Sequence, residues 1–64
     1  MENTAVMVTR EFGSPIFIAP MKKLQIQITE KKEEAEKWHP EFDQTKLEFH
    51  RTITGYSKLT FEVL

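Results

Sequence analysis

The apolar positions of this chain follow different rhythms in different places. Ala5-Val6-Met7-Val8, inside a predicted strand from Asn3 to Phe12, is apolar at every position, and so is Ile16-Phe17-Ile18-Ala19. Consecutive apolar residues of β-forming type point to strands covered on both faces, because successive side chains of a strand leave opposite sides. Leu24-Gln25-Ile26-Gln27-Ile28 alternates, which predicts a strand with one face covered. Gly13-Ser14-Pro15 separates the first two runs as a turn. Pro20 has no N–H to give to a ladder and marks a strand end, an edge or a bulge. The spacing favours one long strand over Ile16 to Ile28, broken near Pro20.

Glu30 to Trp38 holds helix-forming residues without Gly or Pro. Thr29 before it is an expected N-cap, and Pro40 after it disfavours helix at His39. The segment is therefore predicted to be the single helix, with Ala35 and Trp38 as its inward residues. Lys46 to Ile53 places Leu47, Phe49 and Ile53 at one parity, and Lys58 to Val63 does the same with Leu59, Phe61 and Val63. With Gly55 between them, able to take the positive φ of a tight turn, these read as a C-terminal β-hairpin. The expected fold is α+β, one domain over residues 1–64, ordered β-β-α-β-β with a mostly antiparallel sheet and one short helix. A small curled half-barrel is the alternative.

One short helix covers one face of a sheet, yet the two N-terminal segments are apolar on both. A second copy of the chain or another protein is the expected cover, with Val6, Val8, Ile16, Phe17 and Ile18 at that contact and a symmetric homodimer as its commonest form. Arg51 sits at a parity otherwise apolar, and is read either as a side chain reaching out from the sheet rim or as a contact to an acidic partner group.

Size sharpens that expectation. At 64 residues, a chain buries only about 60% of its unfolded surface, so its core is marginal. There is no cysteine to staple it, which also removes thiol chemistry and thiolate metal sites and fits a reducing, cytoplasmic setting. Nine basic and ten acidic residues give a net charge of −1, without the basic excess of a general nucleic-acid binder. The start Met1-Glu2-Asn3 lacks the pattern of a signal peptide, and Pro15 to Met21, the longest apolar stretch, is too short to span a bilayer.

Candidate chemistry is sparse. His39-Pro40-Glu41 with His50 could be drawn as a metal site, but the spacing matches no ligand pattern, and His50 is expected on the solvated face of the hairpin. Ser14 and Ser57 are turn residues without a nucleophile's surroundings. No cofactor is expected and no enzymatic role. The leading expectation is a small protein-binding module, regulatory, inhibitory or adaptor, working through its N-terminal strands or an exposed sheet edge. The alternative is a single-stranded nucleic-acid module built on the hairpin, with Lys46, Arg51 and Lys58 beside Phe49, Tyr56 and Phe61.

Overall fold

The computed structural model describes residues 4–64; the first residue of the expected N-terminal strand, Asn3, lies outside them. Strands β1 (Ala5–Thr9), β2 (Ile16–Lys22) and β3 (Gln25–Thr29) come first, then a single 3₁₀ turn at Lys32–Glu34, helix α1 (Gln44–Thr54) and strand β4 (Thr60–Val63). The four strands form one open antiparallel sheet in the order β3-β2-β1-β4. The fold is α+β with one helix, as the sequence leads one to expect, and the sheet does not close into a half-barrel.

The order of elements differs from the expected β-β-α-β-β. Residues 16–28 form two strands joined by a two-residue turn, because Lys23 and Leu24 both adopt positive φ, at 52° and 63°. Such a turn matches the twist of a hairpin. Pro20 lies in a bulge between Ala19 and Lys22, where its missing N–H removes no bond of the β2–β3 ladder. The expected C-terminal hairpin does not form. Lys46 to Ile53 is helical, and its inward residues are Leu47, His50, Arg51 and Thr54, at helical spacing. Gly55 does take the expected positive φ, 75°, but as the left-handed cap that ends α1, its N–H donating to the Arg51 carbonyl at 2.9 Å.

The expected helix at Glu30 to Trp38 contracts to one turn. Thr29 is not its cap as expected: Lys31 holds that position without a side-chain cap bond, and Thr29 Oγ1 accepts from the Lys31 N–H at 3.1 Å in a local turn just ahead of it. Beyond Ala35 the backbone leaves helical geometry because the sheet offers better partners. Strands β1 and β2 pair directly only at Val8–Phe17 and Thr9–Ile16, then splay apart. Residues 36–38 fill the opening: Glu36 N–H donates to the Ile18 carbonyl at 3.0 Å, and Trp38 and Ala5 exchange two hydrogen bonds. Pairing with two strands at once satisfies buried backbone groups that an isolated short helix would leave to water.

This insertion explains how both faces of β1 are covered. On one face Met7, Ile18, Trp38, Leu47 and Leu59 form the main core under α1, with Ile26, Tyr56 and Phe61 at its margin. On the other, Val6, Val8, Phe17 and Ala35 form a second, smaller core. The strap leading into the 3₁₀ turn runs over that second face, tied by Lys32 Nζ to Glu62 of β4 at 3.5 Å. Full burial of a side chain such as Met7 or Ile18 is worth about 1.5–3 kcal/mol.

Candidate functional site

The chain itself encloses most of the residues expected to meet a partner. Val6, Val8, Phe17 and Ile18 are all buried within the monomer and Ile16 is half-buried. The apolar excess of the N-terminal strands is covered by the 30–38 strap on one side and by α1 and Trp38 on the other, so the expected interface on these residues is withdrawn. Arg51 is also committed internally: its Nε donates to the Leu59 carbonyl at 2.7 Å and its guanidinium pairs with Glu48. It joins the helix to the entry of β4.

His50, expected on a solvated face, is 3% exposed. Its Nδ1 lies 2.7 Å from the Lys46 carbonyl, and because a carbonyl only accepts, Nδ1 carries the proton. Its ring meets Trp38 edge-on at 5.4 Å, and neither Trp38 Nε1 nor His50 Nε2 has a partner among the described residues. The backbone N–H of His39 donates to Asp43 Oδ2 at 2.8 Å. The structure does not gather the two histidines with Glu41, and among the described residues there is no cluster of three metal-ligating side chains.

The residues considered for nucleic-acid contact are dispersed over α1, the following loop and β4, and several already have intramolecular partners. Lys46 Nζ stands 5.5 Å over the Trp38 ring and 3.7 Å from Asp43. Tyr56 packs edge-to-face on Phe12 at 5.2 Å. A cavity of about 290 Å³ opens beside Val8, lined also by Arg10, Glu11, Lys58 and Thr60. Two of its polar groups are engaged by residues outside the lining: Arg10 pairs with Glu62 at 3.2 Å, and Glu11 accepts from Ser57 Oγ at 3.5 Å.

The free edge of β3 is different in kind. In an antiparallel ladder the N–H and C=O of one residue point to the same neighbour, and alternate residues point to opposite neighbours. The Ile18 carbonyl accepts from Glu36, away from β3. Phe17 and Ala19 therefore turn toward β3 and bond their partners Thr29 and Gln27. It follows that Ile26 and Ile28 direct their N–H and C=O groups outward, where no strand lies among the described residues. The side chain of Ile28 shares the outer margin of the main-core face and is 51% exposed. Strand Gln25–Thr29 carries no charge and no proline, the two devices that usually blunt a sheet edge.

The opposite edge is built otherwise. Ala5 exchanges bonds with Trp38, so β4 receives its bonds from Val6 and Val8, and Phe61 and Val63 point outward. Glu62 lies between them, bridged to Arg10 and Lys32. A third exposed apolar feature is the outer stripe of α1, Phe49 and Ile53 with Phe42 before it. The alternation of Leu24 to Ile28 made β3 legible as a strand, but its place at the edge depended on the sheet order, which the sequence does not display.

The chain matches no family model, no curated protein and no solved structure in the three comparisons made. No helix among the described residues is long and apolar enough to cross a membrane.

Proposed function

We propose that this chain is a small non-enzymatic protein-binding module that works by adding a strand to its sheet at β3. The observation that carries the reading is the pair of outward-facing backbone residues, Ile26 and Ile28, on an uncharged edge beside a half-exposed isoleucine. In strand addition the main chain supplies affinity and the alternate side chains supply selectivity. An incoming strand at β3 would bond Ile26 and Ile28 and cover the Ile28 side chain. A regulatory, inhibitory or adaptor role suits a domain that offers an edge and little else, and the lack of cysteine suits work in a reducing cytoplasm.

The nucleic-acid alternative loses its proposed scaffold, since the C-terminal hairpin is replaced by α1. The two readings separate on salt: pairing at an uncharged edge changes little with ionic strength, whereas phosphate binding weakens steeply.

A photoreactive phenylalanine analogue at position 28, introduced in the cells that make the protein, tests strand addition. It should give covalent protein adducts that the same group at the exposed helix position Thr52 does not. Ile28→Pro, with the probe moved to Gln25, should suppress adducts, because it removes an outward N–H without breaking a bond to β2. Adducts no more abundant at position 28 than at position 52 would overturn the proposal.

A further inference from the structure

We infer that the strand that docks on β3 is β3 of a second copy, paired antiparallel about a two-fold axis through Gln27. This rests on the strand-addition reading and specifies its occupant.

The register follows from which groups are free. Two antiparallel strands related by a two-fold axis perpendicular to the sheet keep like faces together, so only registers of even parity are allowed. With Gln27 opposite Gln27, Ile26 of each copy stands opposite Ile28 of the other. Both are outward-facing residues, so each pair exchanges two hydrogen bonds, four in all. The exposed Ile28 side chains are then flanked by Ile26 of the partner copy on the same face. Gln25 stands opposite Thr29, and the amides on the axis can bond each other. No charge is buried and no like charges meet within the paired strands.

The same operation applied to β4 shows why β3 is the edge chosen. There Phe61 would stand opposite Val63 with Glu62 opposite Glu62, and like charges placed directly opposite destabilise a ladder. The two edges thus offer equivalent backbone geometry with opposite electrostatics at the centre. A contact of one short strand from each copy is below the size of a stable permanent interface, so the dimer is a reversible one.

Because the chain has no cysteine, one introduced thiol reports the register directly. Gln27 opposite Gln27 is a non-hydrogen-bonded pair, with Cα atoms about 4.5 Å apart, inside the roughly 4.4–6.8 Å that a disulfide spans. Under mild oxidation Gln27→Cys should form a covalent dimer at least an order of magnitude faster than Thr52→Cys on α1. Adding Ile28→Pro to Gln27→Cys should bring its rate down to that of the helix control. The unaltered chain should approach twice the monomer mass by sedimentation equilibrium as its concentration nears the millimolar range. Equal rates at positions 27 and 52, or a monomer throughout that range, would overturn self-pairing. A monomeric chain that still forms position-28 adducts with a different protein would overturn self-pairing alone, and the absence of both adducts and dimer would overturn strand addition as well.

Discussion

Ala5 and Trp38 exchange both of their backbone hydrogen bonds, at 2.8 and 2.7 Å, and so close the gap where β1 and β2 part. The indole that this bridge presents to the main core touches the helix layer and the sheet at once. One short extended segment thereby does what the sequence pattern assigns to a helix and a second molecule together. It covers β1, it satisfies backbone groups of both neighbouring strands, and it leaves β3 as an uncovered edge.

Trp38→Ala should therefore cost about 3–5 kcal/mol. For a domain of this size, whose whole stability is roughly 3–10 kcal/mol at typical values per residue, that is enough to unfold much of the population. Trp38→Phe should cost less than half as much, since the indole N–H has no partner among the described residues to lose. Urea denaturation of the two variants checks the ordering, and equal losses would mean that the ring fills no essential space.

The β2–β3 turn stores a different kind of energy. Lys23 and Leu24 both hold left-handed backbone geometry, which disfavours residues with a Cβ by about 1–2 kcal/mol each. Leu24 is 93% exposed, so its side chain contributes no packing there. The double change Lys23→Asn and Leu24→Gly should stabilise the fold by about 1–2 kcal/mol and raise Tm by at least about 4 °C. Differential scanning calorimetry is the check, and an unchanged or lowered Tm contradicts it.

Arg51 is expected to act on stability and not on association. Its Nε–H bond to the carbonyl of fully buried Leu59 leaves that carbonyl orphaned when the side chain is removed. Arg51→Ala should destabilise the chain by about 1–3 kcal/mol. The dimerisation constant, measured where the variant is folded, should stay within error of the parent; a large weakening would place Arg51 in the contact after all.

The sequence revealed some of this and concealed the rest, for identifiable reasons. Ala5 to Thr9, Ile16 onward and Thr60 to Val63 are strands because their β-branched and aromatic residues are set where a sheet can use them. Segment 44–54 misleads because its apolar residues, Leu47, Phe49 and Ile53, fit a period of two. The residues that complete its helical stripe are polar, His50 and Arg51, buried by a ring contact and a backbone bond. Asp43 before it and Gly55 after it were the available helix-boundary signals. Segment 30–38 misleads in reverse, since its local helix propensity is overridden by backbone pairing with two distant strands. The candidate edge was visible only as an uncharged alternating strand, because exposure of an edge is a property of the sheet order.

Amide hydrogen exchange along β3 at two protein concentrations tests the edge most directly. In dilute solution Gln27 and Thr29, bonded to β2, should exchange slowly while Ile26 and Ile28 exchange near the rate of an open strand. At high concentration Ile26 and Ile28 should gain protection while the amides of β4 stay unchanged. Ile26 and Ile28 amides whose exchange does not respond to concentration would contradict pairing of two copies through this edge.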